Sequence, residues 1–278
     1  ISCPIATRSG YGARSRDFVK SLIDLKGQEW DIKILAQRWG TTPQNALTPE
    51  DTIFTSRLIP QLESKPDIWI QITIPSEFQP VGNFNIGVSA VIETSDASSE
   101  FIEGCNRMDL NIVSSRHSAA TLTAVYDKLN DQTQQKIGEL KIEKPVEVLF
   151  EGYDTSVFDN KKPIEPTIKK VFQDIPEQFC FLFVGHLLNG AQGHDRKNVY
   201  SLIKVFLNTF KGKSLRNKAK PALILKTNTH QPSISSVHRI KTLIRKCKER
   251  IGGSNFPNIY ILDGDLTNDE INSVYNHP

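Results

Sequence analysis

Short runs of apolar residues are spread along the chain, and most of them are continuous rather than interrupted by polar positions. Each run is rich in β-branched or aromatic residues, which is typical of strands buried on both faces of a parallel sheet. The pattern predicts a first series of strands at Ile1–Ala6, Asp31–Ala36, Ile68–Thr73, Phe84–Ile92, Leu110–Ser114 and Val146–Phe150. It predicts a second series at Phe179–Val184, Ala222–Lys226 and Asn258–Leu262.

Amphipathic stretches with the period of a helix lie between these runs. They predict helices at Arg14–Leu25, Ser98–Arg107, Ser118–Leu129, Asn198–Phe210, Ser233–Arg250 and Asn268–Tyr275. The last of these has a clear start signal, because Thr267 and Glu270 have the spacing of a capping box.

The alternation of strands and helices predicts an α/β protein with doubly wound parallel sheets. A polar stretch with two prolines, Phe158–Pro166, separates the two series. We therefore predict two Rossmann-like domains, residues 1–160 and 161–278, which face each other across a cleft. Ligands would bind there, at the carboxyl ends of the strands. The second domain has few strands, so we expect it to be incomplete.

Composition places this chain of 278 residues, 38% of them hydrophobic, among folded proteins and excludes a disordered tail. No apolar run approaches the roughly 18 residues of a spanning helix, so no transmembrane segment is predicted. Four widely spaced cysteines and no signal-peptide pattern at the N-terminus favour reduced thiols and a cytoplasmic protein.

The net charge of +3 conceals an asymmetry between the two halves. Between Lys161 and Arg250 there are 19 basic residues and 5 acidic ones. Most of these charges are interpreted as solvated helix ends and faces, yet the excess predicts that the second domain prefers anions.

The segment after the first strand, which contains Gly10, Tyr11 and Gly12, precedes a helix. Glycines allow close backbone approach, and a helix N-terminus offers free N–H groups to an anion or a hydroxyl. An ordinary turn between a strand and a helix is an equally good interpretation. Glu93, at the predicted end of another strand, is a candidate to bind sugar hydroxyls or to oppose a helix dipole.

The strongest local pattern lies in the second half. Gly185 ends a strand, and Arg196 and Lys197 open the next helix, an arrangement typical of a diphosphate site. Lys226 ends the neighbouring strand and is expected to converge with these cations. Gly264 follows the third strand, where a base or a ribose would pack.

Two histidines, His186 and His194, bracket the loop after Gly185. No third ligand has suitable spacing, so no metal site is predicted.

The order of the segments resembles the retaining GT-B glycosyltransferases of the group 1, or family 4, class. The resemblance rests on RSGYG, AVIETSDASSEFIEGCNRMDLNIVSSRHS, EGYDTSVF, FLFVG followed by RKN, LILKT and NIYILDGDLTNDEINSVYNHP. The second of these blocks is the most specific. It has a strand that ends in Glu, a helix, Cys-Asn before a turn, and a strand that ends in Ser.

This resemblance implies transfer of a sugar from a nucleotide donor, bound mainly by the second domain, to an acceptor held by the first. Gly10, Tyr11 and Gly12 would lie beneath the transferred sugar. Glu93, the catalytic candidate, would contact the acceptor. Gly185, Arg196, Lys197, Lys226 and Gly264 would bind the donor, and no cofactor or metal would be needed.

The chain departs from the family pattern in three places. His186 stands where many members have Arg, and Gln71 and Thr73 occupy a strand end where many have His. The acidic donor-sugar motif of the family is absent before Pro278, so we expect a truncated enzyme.

The sequence therefore predicts a nucleotide-sugar-dependent glycosyltransferase with a glycan, lipid-linked or protein acceptor. The alternative is a non-catalytic fragment of the same fold that binds a nucleotide, a glycan or a polyanion. Nucleic acid is disfavoured as that polyanion, because Phe179, Phe181 and Phe183 are interpreted as core strand residues rather than an exposed stacking surface.

Overall fold

The computed structural model describes residues 1–130, 132–185, 187, 197–212, 220–227 and 234–278, without the side chains of 234–236. The chain divides into two compact units, Ile1–Tyr153 and Asp154–Pro278. We call these the N-terminal unit and the C-terminal unit. The boundary predicted from the sequence lies slightly later, after residue 160.

A seven-stranded parallel sheet forms the N-terminal unit, with the strand order β3-β2-β1-β4-β5-β6-β9. Its strands are β1 (Ser2–Cys3), β2 (Ile34–Ala36), β3 (Leu58–Ile59), β4 (Ile68–Ile72), β5 (Phe84–Ser89), β6 (Leu110–Val113) and β9 (Val146–Val148). The order reverses between β1 and β4, which is the topological switch point of a Rossmann-like sheet. The predicted α/β fold class is confirmed for this unit.

Helices and a short turn cover this sheet: α1 (Gly10–Lys26), α2 (Thr52–Thr55), the one-turn 3₁₀ helix Pro75–Glu77, α3 (Ser99–Asn106) and α4 (Arg116–Thr123). One apolar cluster includes Cys3, Val19, Ile34, Ile72 and Val88, and a second includes Trp69, Phe78, Cys105, Met108 and Leu122. The sheet is thus buried on both faces, which explains why its strands are continuous apolar runs.

An antiparallel hairpin of β7 (Tyr126–Leu129) and β8 (Lys136–Leu140) follows α4. The predicted helix Ser118–Leu129 is therefore wrong beyond Thr123. The β-branched residues Thr121, Thr123 and Val125 are poor helix formers. In addition, the Tyr126 hydroxyl donates to the Thr121 carbonyl at 2.7 Å, which fixes the chain as it leaves the helix.

In its described ranges, the C-terminal unit has three strands that form a parallel sheet with β11 in the middle. Its elements are α5 (Pro166–Phe172), β10 (Cys180–Val184), α6 (Val199–Phe210), β11 (Ala222–Lys226), α7 (Ile234–Ile251), β12 (Ile259–Leu262) and α8 (Asn268–Asn276). Leu223 and Leu225 pack with α6 and α7 on one face, and Ile224 packs with α5 and α8 on the other. The predicted capping box of Thr267 and Glu270 is confirmed.

The expectation that Phe179 and Phe181 are core residues is wrong. Phe179 is 61% exposed and Phe181 is 42% exposed, whereas Phe183 packs against the core that α6 forms. Within the described residues, β10 pairs with β11 on one side only, so its apolar side chains are less covered than those of the central strand. The Phe181 ring instead lies against Phe210, with 5.8 Å between the ring centroids.

No helix in the described ranges has both the length and the apolar character needed to cross a membrane. All four cysteines are free thiols, and three of them, Cys3, Cys105 and Cys247, are buried.

Candidate functional site

The loop between β1 and α1 lies at the switch point of the N-terminal sheet, where Rossmann-like sheets bind ligands. Ser9 is the N-cap of α1, and its hydroxyl accepts a hydrogen bond from the Gly12 amide at 2.9 Å. The Thr7 hydroxyl is 2.8 Å from the Ser9 hydroxyl and donates to the Pro4 carbonyl at 2.9 Å. Side-chain hydrogen bonds therefore hold this loop rigidly at the start of the helix.

The two glycines of the loop serve different purposes. A Cβ atom at Gly12 would lie 2.1 Å from the carbonyl oxygen of Thr7, whereas a Cβ atom at Gly10 would meet nothing within 4 Å. Close packing thus requires glycine at position 12 but not at position 10.

Tyr11 anchors the first turn of α1 to the end of β5. Its hydroxyl is 3.0 Å from the Ser89 hydroxyl and accepts a hydrogen bond from the Ala90 amide at 3.1 Å. Its ring stacks on Trp39, with 4.1 Å between the centroids. Burial raises the pKa of Tyr11, which favours the protonated phenol.

Arg14, in the second turn of α1, is a polar residue whose burial the sequence analysis missed. Its side chain is only 10% exposed, and its Nη1 atom lies 2.9 Å from an oxygen of the half-exposed Glu151. The Nε and Nη2 atoms are buried and have no hydrogen-bond partner in the described part of the chain. The sequence shows only that this arginine occurs in a helix with a periodic apolar stripe. It does not reveal whether the arginine faces the core or the solvent.

Glu93 lies in the loop between β5 and α3 and is exposed. The predicted strand Phe84–Ile92 ends earlier, at Ser89, so Glu93 does not directly follow a strand. Its role in binding an acceptor stays a prediction.

Gln71 and Thr73, which replace the family's histidine, are both buried. The Gln71 amide donates to the Glu77 carbonyl at 3.0 Å and its oxygen accepts from the Gln79 amide at 2.8 Å. The Thr73 hydroxyl donates to the Glu77 carboxylate. These two side chains therefore stabilise the 3₁₀ turn that follows β4.

In the C-terminal unit, three predicted donor-site residues are linked at the carboxyl edge of the sheet. The Gly185 amide donates to the Lys226 carbonyl at 3.0 Å, and the Lys226 ammonium donates to the Gly264 carbonyl at 2.6 Å. Gly264 has φ +100°, a conformation that L side chains rarely adopt. The carboxyl ends of β10, β11 and β12 thus hold a lysine at a fixed position.

The other predicted donor residues lie before α6. Lys197 is exposed and precedes Asn198, the N-cap of α6, which has a left-handed backbone with φ 48°. Arg196 lies outside the described residues, as do His186 and His194. Convergence of Arg196 and Lys197 with Lys226 stays a prediction.

Two further polar side chains follow the ends of β11 and β12. Lys226 is opposite Leu262 in the strand register, so Thr227 and Asp263 come next on neighbouring strands. Thr227 is 1% exposed, and among the described residues its hydroxyl has no hydrogen-bond partner. The same is true of the buried Oδ1 atom of Asp263. An unpaired buried polar atom costs about 1–3 kcal/mol, so a ligand or a water molecule at this edge would stabilise both.

Within the described part of the chain, no three His, Cys, Asp or Glu side chains are grouped as a metal site would require.

No protein-family model matches the chain. No curated protein matches it either. Among solved structures it is similar to one described as the apo structure of OtsA, with 12% identity and a TM-score of 0.44 over 95% of this chain and 54% of that one. Trehalose-6-phosphate synthase OtsA gives 11% identity and a TM-score of 0.43 over 94% and 53%.

A third similar structure is described as trehalose-6-phosphate from E. coli bound with UDP-2-fluoro glucose. It gives 12% identity and a TM-score of 0.43 over 94% of this chain and 54% of that one. The chain spans about half the length of these solved structures. The fold class stated above rests on the strand order of the two sheets and not on these likenesses.

Proposed function

We propose that this chain is part of a nucleotide-sugar-dependent glycosyltransferase that transfers a sugar to a hydroxyl acceptor with retention of configuration. The observation that carries the proposal is the linkage of Gly185, Lys226 and Gly264 at one edge of the C-terminal sheet. These residues belong to three separate segments of the family resemblance, and each stands at the carboxyl end of a different strand.

The donor diphosphate is assigned to this edge. Lys226 supplies a positive charge whose position is fixed by its bond to the Gly264 carbonyl at 2.6 Å. Fixed charges that stabilise a leaving group need no reorganisation during the reaction, and such stabilisation is usually the largest contribution to catalysis. Thr227 and Asp263 offer an unpaired hydroxyl and carboxylate oxygen to the ribose or the base.

The acceptor is assigned to the N-terminal unit, at the switch point beside Gly10, Tyr11 and Gly12. The family resemblance implies that the leaving phosphate itself helps to deprotonate the acceptor hydroxyl. Tyr11 does not compete for this role, because burial raises its pKa. Free thiols fit a cytoplasmic location, which we include in the proposal.

Calorimetric titration with UDP, GDP and ADP tests the donor site. We expect one of them to bind, and Lys226→Met to weaken that binding by about 10- to 150-fold, because a charge-assisted contact is lost. Lys197→Ala should also weaken nucleotide binding, but by a smaller factor, since Lys197 is exposed.

The matched control is Lys220→Met, because Lys220 precedes the opposite end of β11 and donates to the Asn255 carbonyl. Absence of binding to all three nucleotides at millimolar concentration would refute the proposal. Equal losses in Lys226→Met and Lys220→Met would refute the assignment of the site.

A second candidate function is binding of a polyanion without catalysis. The exposure of Phe179 and Phe181 favours it, because exposed aromatic rings in a basic unit are what single-stranded nucleic acids stack on. Tight DNA binding with a steep salt dependence, together with no nucleotide binding, would support this candidate against the first.

A further inference from the structure

The guanidinium of Arg14 has two free donors in a place where water has little access. Its side chain is nine-tenths buried, and its Nη1 atom is paired with Glu151 at 2.9 Å. Nε and Nη2 are both buried and have no partner among the residues that the structure describes. Buried donors of a charged group are rarely left unpaired in a native protein, because the loss of hydration is not compensated.

The two unpaired atoms lie on the same edge of the guanidinium. The N–H bonds of Nε and Nη2 are parallel, so this edge is a fork that matches two oxygens of a single carboxylate or phosphate group. A single hydroxyl would satisfy only one of the two donors. The geometry of the unpaired edge therefore favours an oxyanion over a neutral alcohol.

The surroundings of Arg14 fit a ligand site rather than a purely structural ion pair. Arg14 is in the second turn of α1, whose N-terminal end carries a partial positive charge and lies at the switch point of the sheet. Tyr11 is close enough to Arg14 and Glu151 for both charges to affect its pKa. Glu151 itself is 47% exposed, so it does not need Arg14 as a buried partner.

We propose that the Nε–Nη2 edge of Arg14 binds a carboxylate or a phosphate group of the ligand held by the N-terminal unit. That this ligand is the sugar acceptor rests on the proposed function. The acceptor class is then an anionic molecule, either a phosphorylated or a carboxylated one. Arg14 contacts the anionic group, and Glu151 holds the guanidinium through Nη1.

Titration of the full chain with inorganic phosphate and, separately, with acetate tests the proposal. The readout is the ¹H–¹⁵N resonance of the Arg14 Nε–H group, assigned by its loss in Arg14→Lys, at constant ionic strength. We expect a saturable shift with at least one of the two ions. The ion that binds more tightly tells whether the natural group is a phosphate or a carboxylate.

Variants separate binding at the fork from general charge. In the variants, binding is followed by the backbone amide resonances of Tyr11 and Gly12 in the first turn of α1, because Arg14 variants lack the Nε–H group. Arg14→Gln and Arg14→Lys should each weaken binding of the ion by about tenfold or more, because glutamine loses the charge and lysine keeps the charge but loses the two parallel donors. The matched control is Arg116→Gln, since Arg116 is an exposed arginine at the first position of α4 in the same unit. It should leave the affinity unchanged.

Glu151→Gln keeps an oxygen acceptor for Nη1 but removes a negative charge, so it should tighten binding of the ion by about threefold or more. This variant also keeps the test decisive if Arg14→Gln fails to fold, because Glu151 is half-exposed. A saturable shift that Arg14 and Arg116 variants alter equally, or no saturable shift of the Arg14 resonance, would overturn the proposal.

The nucleotide titration distinguishes this failure from failure of the proposed function. If a nucleotide binds but no ion binds at Arg14, only the proposal of an anionic acceptor is refuted. If an ion binds at Arg14 but no nucleotide binds, only the assignment of the donor site is refuted.

Discussion

Replacement of Gly12 by alanine should destabilise the N-terminal unit, and the structure gives the magnitude. The new Cβ atom would lie 2.1 Å from the Thr7 carbonyl oxygen and 2.5 Å from the Thr7 hydroxyl. Thr7 is completely buried, and its carbonyl accepts a hydrogen bond from Arg16 at 3.0 Å. Thr7 therefore cannot move away without breaking the bonds that hold the loop.

The free energy of unfolding should fall by about 1.5–5 kcal/mol, from three contributions. Overpacking costs about 1–3 kcal/mol. The strained hydrogen bond from a charged donor adds about 1.5–3 kcal/mol. Alanine returns about 1 kcal/mol through its higher helix propensity, since Gly12 lies in the first turn of α1.

Urea unfolding followed by tryptophan fluorescence isolates the relevant unit, because Trp30, Trp39 and Trp69 all lie in the N-terminal unit. The control is Gly10→Ala, whose Cβ would enter open space. We expect that variant to be unchanged or more stable by up to about 1 kcal/mol. If the two variants differed by less than about 0.5 kcal/mol, the close approach at Gly12 would be refuted.

Three further predictions concern stability and reactivity. Tyr11→Phe should lower the free energy of unfolding by about 1–3 kcal/mol in the same fluorescence assay, because both hydrogen bonds of the hydroxyl are lost. The hydrogen bond from the Thr267 amide lowers the pKa of Glu270 below its ordinary value of 4.5. The stability difference between the wild type and Glu270→Gln, measured by circular dichroism in urea, should therefore be constant at neutral pH and shrink as the pH falls below 4.5. Burial raises the pKa of Cys3 to about 11 and that of Cys105 to about 12, so at pH 8 a thiol reagent should modify both only after unfolding.

Much of the fold could be predicted from the sequence, because buried parallel strands are encoded as continuous runs of apolar residues. The runs around Ile70, Val88 and Leu223 are apolar on both faces, and the structure places all three in sheets. Strand ends were less predictable. The apolar pattern continues through Ile92, although β5 ends at Ser89, because a loop residue can be buried by packing just as a strand residue is.

The positions of Gly185 and Lys226 at strand ends could be predicted from the sequence, while their role in binding a donor stays a prediction. The candidate site was not predictable where burial decides the role of a side chain. Arg14 belongs to a helix whose pattern predicts only its apolar stripe, and its pairing with Glu151 joins residues far apart in the sequence. The exposure of Phe181 was missed for a related reason, since composition does not show which strand lies at the edge of a sheet.

The position of β1 between β2 and β4 has a consequence for how the chain folds during synthesis. β1 precedes β4 in the chain, and its partner Gln71 in β4 follows much later. At about 5–20 residues per second, roughly 3–14 s pass before this pairing is possible. The hairpin of β7 and β8 has a local register and, once made, forms within about 1–10 μs. One edge of the central strand therefore stays unpaired for seconds during synthesis, and its backbone N–H and C=O groups can pair with another chain in that time.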